Sequence, residues 1–129
     1  MTRTIGTVLL VDDDPTALYI ARNVLRRLGV AELVLTAHNG QEALQLIRSA
    51  CAEPNRAALC PRLILVDVKM PVMDGFEFVG ALGTMEFPVR PVVAMLSSSQ
   101  NPRDLRQADG RGVDAYLAKP LTAQSLGSS

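Results

Sequence analysis

Leu63-Ile64-Leu65-Val66-Asp67 is an unbroken apolar run that ends in a carboxylate, and Val8-Leu9-Leu10-Val11-Asp12 repeats this form near the start of the chain. Strands that are apolar at every position are typical of a parallel sheet covered by helices on both faces. Three further apolar runs follow at comparable spacing. We therefore predict five parallel strands, at residues 7–11, 33–37, 63–66, 91–96 and 113–117.

Amphipathic segments separate the predicted strands. The first begins at Asp14-Pro15, a capping residue followed by a proline, and ends at Gly29. Asn39 and Asp74 occupy the capping positions of a second and a third helix, and a fourth is expected to begin near residues 101–104. Strands that alternate with helices predict a doubly wound α/β domain, and five strands favour the flavodoxin-like order 2-1-3-4-5.

Composition narrows the class of protein. A length of 129 residues fits one domain, which we place at residues 1–129 with a core of about 6–126. The 13 basic and 13 acidic residues balance, which argues against a nucleic-acid-binding surface. No apolar run approaches the ~20 residues of a membrane span, and the N-terminus does not resemble a signal peptide. We expect a cytoplasmic protein that binds neither nucleic acid nor membrane.

The two cysteines, Cys51 and Cys60, are nine residues apart. This is not the spacing of a metal site, and a disulfide scaffold would be unusual in so apolar a chain. We interpret both as free thiols, with Cys51 on the apolar side of the second helix. Residues 49–61 contain two prolines and are expected to form a loop before the third strand.

Polar residues follow four of the predicted strands. Asp12-Asp13-Asp14 follows the first strand, Asp67 the third, Ser97 the fourth and Lys119 the fifth. Ligands of doubly wound sheets bind beyond the carboxyl ends of the strands, so these side chains should meet there. Crowded carboxylates favour a hard divalent cation such as Mg²⁺. An aspartate can also take a phosphoryl group, whose charge the cation and Lys119 would neutralise.

Four blocks of this sequence together resemble the receiver domains of two-component response regulators. The Asp-x-x-Met-Pro-x-Met-Asp-Gly string that begins at Asp67 is the most specific, and the likeness covers roughly residues 6–126. The blocks are Val8-Leu9-Leu10-Val11-Asp12-Asp13-Asp14-Pro15, residues 65–75, Met95-Leu96-Ser97-Ser98-Ser99 and Tyr116-Leu117-Ala118-Lys119-Pro120.

The resemblance implies a role for each matching residue. Asp67 would be the phosphoacceptor. Mg²⁺ would be held by Asp13 and Asp67 directly, by Asp12 through water, and by the backbone carbonyl of Lys69. Lys119 would pair with the phosphoryl group, and Ser97 and Tyr116 would form the switch. The residues this concerns are Asp12, Asp13, Asp67, Lys69, Ser97, Tyr116 and Lys119.

The resemblance also implies partners. A histidine kinase or a histidine phosphotransfer protein would donate the phosphoryl group, and a downstream protein would recognise the switched surface. Such a domain catalyses only its own phosphorylation and dephosphorylation, so we do not expect an enzyme in the usual sense. A pseudo-receiver that is never phosphorylated is an alternative, although such domains usually lack the acceptor, the acidic pair or the lysine.

A phosphatase of the haloacid dehalogenase type is a second alternative. Residues 9–16 also match its first motif, in which Asp12 would be the nucleophile and Asp14 the general acid. That family needs a downstream acidic pair, which residues 120–129 do not contain, and the alternative leaves the residues after Asp67 unexplained.

The C-terminal end departs from the receiver pattern. Only residues 121–126 follow Lys119-Pro120 before Gly127, which is under two helical turns. Either the fifth helix is vestigial or the chain is a truncated piece of something longer, so we expect a shortened or missing fifth helix. A missing helix would leave apolar sheet surface uncovered near the first and fifth strands. Such a surface would favour a homodimer.

Overall fold

The computed structural model describes residues 6–52, 60–68, 70, 73–85, 87, 90–97, 113–119 and 121–122. Five parallel strands form one sheet in the order β2-β1-β3-β4-β5, as predicted. The strands are β1 (Gly6–Val11), β2 (Ala31–Ala37), β3 (Leu63–Asp67), β4 (Val92–Ser97) and β5 (Ala115–Ala118). The predicted strands agree with these bounds to within one or two residues.

Three helices lie within the described residues. They are α1 (Pro15–Leu28), α2 (Gly40–Ala52) and α3 (Gly75–Leu82). The predicted fourth helix, near residues 101–104, lies outside the described residues. Among the helices that are described, none has the length and apolar content needed to cross a membrane.

The predicted helix caps are present. The carboxylate of Asp14 accepts the backbone N–H of Thr16, and Gly29 ends α1 at φ 64°, a left-handed conformation that glycine adopts without steric cost. The side-chain oxygen of Asn39 accepts the N–H of Glu42 at the start of α2. Asp74 forms a reciprocal capping box with Glu77 at the start of α3.

Apolar side chains fill both faces of the sheet, which explains why the strands lack polar alternation. Leu9 and Val11 of β1 belong to the core under α2 and α3, whereas Val8 and Leu10 belong to the core under α1. Ile64 and Leu65 of β3 divide between the two cores in the same way. In the central strands β1 and β3, the charged side chains therefore stand only at the carboxyl end, where Asp12 follows β1 and Asp67 ends β3.

Two expectations about residues 49–61 are wrong. Residues 49–52 belong to the last turn of α2 rather than to a loop, and residues 53–59 lie outside the described residues. Cys51 and Cys60 are joined in a disulfide, with their Cα atoms 4.7 Å apart. Composition argued for free thiols, but the last turn of α2 lies next to the residues that precede β3, which brings the two cysteines together. Cys51 also packs against the core, as expected.

The sheet face toward α1 is covered at the centre of β1, β3 and β4 but not at every described position. Leu10, Leu65 and Leu96 are each at most 5% exposed on this side, and Leu121 packs among them. Val92, on the same face of β4, is 50% exposed, and Ala115 and Leu117 of β5 are only partly buried. The homodimer therefore stays a prediction. Neither Leu121 nor Thr122 is helical, and the rest of the predicted short helix lies outside the described residues.

Candidate functional site

The site lies at the carboxyl end of the sheet, between the parallel strands β1 and β3, where the strand order changes direction because β2 lies on one side of β1 and β3 on the other. Val11 pairs with Val66. The next residues are therefore side by side, with Asp12 just beyond β1 and Asp67 at the end of β3. Such a switch point is where ligands bind in doubly wound sheets.

Strands β4 and β5 bring the next two predicted residues to this edge. Asp67 pairs with Leu96, and Ser97 pairs with Ala118. Lys119 is the first residue after β5, and its backbone N–H donates to the carbonyl of Ser97 at 2.9 Å. The register of the sheet thus assembles residues from four segments that are far apart in sequence.

Three carboxylates form a compact acidic cluster, which we define as Asp12, Asp13 and Asp67. One carboxylate oxygen of each lies within 4.8 Å of those of the other two. Asp12 and Asp67 are buried, whereas Asp13 is exposed. The cluster is therefore open to solvent on the side of Asp13 and closed by protein beneath Asp12 and Asp67.

Lys119 is the cation of the site. Its Nζ lies 2.8 Å from Oδ2 of Asp12 and 3.2 Å from Oδ2 of Asp67. Partial burial lowers the pKa of Lys119, but its hydrogen bonds to Asp12 and Asp67 and their negative charges outweigh this effect. The pKa therefore lies above its usual value, and the ammonium form is favoured.

The acidic cluster and Lys119 have a charge suited to a divalent cation. Three carboxylates and one ammonium leave two negative charges, and the ligand atoms are oxygens, which hard cations prefer. These residues therefore fit the Mg²⁺ that the sequence predicts.

Backbone hydrogen bonds hold the acidic cluster in position. The N–H of Asp12 donates to the carbonyl of Ala37 at 3.0 Å, and Oδ1 of Asp12 accepts the N–H of Asp14 at 2.9 Å. After Asp67, the N–H of Val68 donates to the carbonyl of Leu96 at 3.0 Å. The carboxylates therefore project from backbone that the neighbouring strands already constrain.

The two predicted switch residues lie on β4 and β5. Ser97 is buried and ends β4 beside Asp67 on β3. Tyr116 is half-buried on β5, opposite Met95, and packs against the core under α2 and α3. Its hydroxyl oxygen is buried and has no hydrogen-bond partner among the described residues. Lys69, whose backbone carbonyl was predicted to bind Mg²⁺, lies outside the described residues.

Sequence analysis missed the way in which two glycines permit close packing around the site. A Cβ atom on Gly75 would lie 2.5 Å from the carbonyl oxygen of Asp67, and one on Gly40 would lie 2.7 Å from Sδ of Met73. The Asp-Gly pair at Asp74 had suggested only a turn and a helix start. No sequence pattern distinguishes a glycine needed for packing from one needed for a turn.

Comparison with known proteins identifies relatives across nearly the whole chain. The model of the response regulator receiver domain family matches residues 8–129. A two-component response regulator of Oryza sativa subsp. japonica is 35% identical over 127 residues, which cover 98% of this chain and 93% of that protein.

Solved structures agree with the fold. A two-component response regulator from Cytophaga hutchinsonii superimposes with a TM-score of 0.85 at 30% identity, covering 98% of this chain and 94% of that one. The receiver domain of a histidine kinase from Arabidopsis thaliana, complexed with Mg²⁺ and BeF₃⁻, has a TM-score of 0.83 at 26% identity. That match covers 97% of this chain and 89% of the other.

Proposed function

Because this chain belongs to the response regulator receiver domain family and is a receiver domain of two-component signalling, we propose that Asp67 is its phosphoacceptor. The observation that carries the proposal is the position of the Asp67 carboxylate. It lies at the switch point of the sheet, within the acidic cluster, and 3.2 Å from the ammonium of Lys119.

The proposed reaction transfers a phosphoryl group from a phosphohistidine. A carboxylate oxygen of Asp67 forms a bond to phosphorus as the phosphorus–nitrogen bond of the donor breaks, and the electron pair returns to the imidazole nitrogen. Lys119 is placed to stabilise the negative charge that remains on the phosphoryl oxygens. The donor would be a histidine kinase or a histidine phosphotransfer protein, which agrees with relatives that are themselves histidine kinases.

The residues that would hold Mg²⁺ are Asp13 and Asp67 directly and Asp12 through water, with the backbone carbonyl of Lys69 as a further ligand. The residual double negative charge of the site and its oxygen ligands support this assignment. When bound, Mg²⁺ would neutralise charge on the carboxylates and the phosphoryl oxygens. The kinase receiver domain that binds Mg²⁺ and BeF₃⁻, an anion with the shape of a phosphoryl group, supports the same chemistry here.

The proposed output is a change in a protein-contact surface. A phosphoryl group on Asp67 adds about −1.5 to −2 charges and strong hydrogen-bond acceptors, which Ser97 on the adjacent strand can approach. Movement of Ser97 would change the space available to Tyr116 on β5, the strand paired with β4. A downstream protein would then recognise the altered surface.

Intact mass spectrometry tests this function. The chain is incubated with Mg²⁺ and a small acyl phosphate, beside Asp67→Asn and Asp14→Asn. Asp14 is a suitable control because its carboxylate caps α1, and asparagine caps a helix equally well. The expected result is one added phosphoryl mass on the parent chain and on Asp14→Asn, and none on Asp67→Asn.

Two results would contradict the proposal. If neither the parent chain nor the two variants gained mass, the pseudo-receiver alternative would be favoured. An added mass on Asp67→Asn would indicate another acceptor, such as Asp12 in the phosphatase alternative. That alternative also requires Asp14 as a general acid, whereas the Asp14 carboxylate accepts the N–H of Thr16 as the cap of α1.

A further inference from the structure

The disulfide joins two elements at the end of the sheet opposite the acidic cluster. Cys51 lies in the last turn of α2, and Cys60 lies three residues before β3 begins at Leu63. Cys60 lies seven residues before Asp67, and the extended chain of β3 between Leu63 and Asp67 spans about 13 Å. The proposed function uses neither cysteine.

We propose that Cys51 and Cys60 form a reversible thiol–disulfide pair that exchanges with small-molecule disulfides such as oxidised glutathione. The Cys51 thiolate attacks one sulfur of the small disulfide, forms a mixed disulfide and releases one glutathione thiolate. The Cys60 thiolate then attacks the Cys51 sulfur, closes the protein disulfide and releases the second glutathione. Two protein thiols are oxidised and one glutathione disulfide is reduced to two thiols, so electrons and atoms balance.

Two observations support this exchange. The Cα atoms of the pair are 4.7 Å apart, which lies within the range that a disulfide spans without backbone movement. Contacts other than the disulfide also hold the elements that carry the cysteines. Helix α2 packs its Ala43, Leu44 and Ile47 into the core, and the N–H of Arg62, next to the disulfide segment, donates to the carbonyl of Thr7 at 2.9 Å. The reduced chain can therefore fold with both thiols in reach of each other.

Burial determines the order of the two steps. Cys51 is half-buried, whereas Cys60 is only 7% exposed. A bulky disulfide such as oxidised glutathione can reach the sulfur of Cys51 more easily, because access limits thiol–disulfide exchange. Cys60 is the resolving thiol, since it is buried beside the sulfur that it must attack.

The consequence is a redox-dependent stability. The bond closes the segment between α2 and β3 in the unfolded chain as well as in the folded one, so it lowers the entropy gained on unfolding. For a loop of this length and a domain of this size, the melting temperature of the oxidised chain should exceed that of the reduced chain by about 10 °C.

The first experiment compares two redox states of the unmodified chain. One sample is equilibrated with dithiothreitol and the other with oxidised glutathione. Both are alkylated under denaturing conditions, and their intact masses are measured. We expect two alkyl groups on the reduced chain, none on the oxidised chain, and full recovery of the thiols when dithiothreitol is added back. Thermal unfolding of unalkylated samples should show the stated shift. Equal melting temperatures, or a disulfide-linked dimer in place of the internal bond, would overturn the proposal.

The second experiment tests the order of attack with single substitutions. Cys60→Ala should accumulate a glutathione adduct on Cys51, whereas Cys51→Ala should acquire its adduct at least several-fold more slowly. Both variants should lose the redox-dependent melting shift, which attributes that shift to the bond between the two cysteines. Faster adduct formation on Cys60 than on Cys51 would refute the assigned order. The first experiment uses no substitution. It therefore still tests the proposal if one of the variants folds poorly.

Discussion

The backbone of Gly75 packs so closely on Asp67 that a Cβ atom at Gly75 would lie 2.5 Å from the carbonyl oxygen of Asp67. The same glycine donates its N–H to the carbonyl of Val68 at 2.9 Å. The start of α3 is therefore packed directly against the backbone that carries the proposed phosphoacceptor. A side chain at Gly75 would have to displace backbone atoms, which are much less compliant than the end of a flexible side chain.

Substitution of Gly75 should therefore disturb both the fold and the site. Gly75→Ala is expected to lower the free energy of unfolding by about 1–3 kcal/mol, because overpacking forces the backbone to shift. It should also reduce phosphoryl uptake by moving Asp67. Urea denaturation and intact mass after incubation with the acyl phosphate measure the two effects.

Gly80 provides the matched control for this substitution. It lies in the same helix and is exposed, and a Cβ atom at this position would have no atom within 4 Å apart from its chain neighbours and the adjacent backbone of the helix. Gly80→Ala should therefore raise the free energy of unfolding by about 0.5–1 kcal/mol, since alanine favours helix more than glycine does. If the two substitutions had the same effect, close packing at Gly75 would not be the cause.

Removal of Lys119 should change magnesium binding and phosphorylation in opposite directions. Lys119→Met keeps the aliphatic stem but leaves Asp12 and Asp67 without their shared cation. We expect Mg²⁺ affinity to increase on the order of tenfold, since a positive charge a few ångströms from the cation is lost. Phosphoryl uptake should fall, because the phosphoryl oxygens lose a partner.

Isothermal titration calorimetry with Mg²⁺ checks the first effect, and intact mass checks the second. Arg62→Met changes the net charge by the same amount at an exposed position next to the amino end of β3. It should alter neither quantity. Weaker Mg²⁺ binding by Lys119→Met would show that the ammonium does not compete electrostatically with the cation.

Asp13 and Asp14 are adjacent in sequence but should differ sharply in their effect on Mg²⁺. Asp13 belongs to the acidic cluster, whereas the carboxylate of Asp14 accepts the N–H of Thr16. Asp13→Asn is expected to weaken Mg²⁺ binding on the order of tenfold or more, because a ligand charge is removed. Asp14→Asn removes the same charge from the chain and should have little effect. Titration calorimetry of both variants would reject the assignment if their affinities were equal.

The buried hydroxyl of Tyr116 should destabilise the unphosphorylated chain. It has no hydrogen-bond partner among the described residues, and a buried polar group without a partner costs free energy. Tyr116→Phe is therefore expected to raise the free energy of unfolding by about 1 kcal/mol, measured by urea denaturation. Tyr19, which is 68% exposed on α1, provides the control: Tyr19→Phe should change stability by less than about 0.5 kcal/mol. A loss of stability in Tyr116→Phe would contradict this account.

The apolar runs and helix caps allowed most of the architecture to be predicted. An unbroken run such as Leu63–Val66 is stable only where both faces of a strand are covered, so the run itself predicts a parallel sheet between helix layers. Asp14, Asn39 and Asp74 begin helices through hydrogen bonds to backbone only two or three residues away, so these starts are local properties. The position of Asp67 and Lys119 at the carboxyl edge followed from the strand order.

The relationships that sequence analysis missed depend on how separate helices and strands pack, rather than on neighbours two or three residues away. Cys51 and Cys60 were interpreted as free thiols from composition, but their pairing depends on where α2 ends relative to the start of β3. The packing of Gly75 against Asp67 depends on how closely the start of α3 approaches the carboxyl end of β3. Neither has a local pattern, because the same residue types occur wherever a turn or a core position requires them.

The sequence by itself thus determined the class of fold, the edge at which the polar residues gather and the residues that gather there, because strand burial and helix capping are short-range effects. Only the tertiary structure decided that Lys119 bridges Asp12 and Asp67, that the buried hydroxyl of Tyr116 has no partner among the described residues, and that the two cysteines bond. These features depend on distances of a few ångströms between separate elements, and such distances arise from the packing of the whole domain.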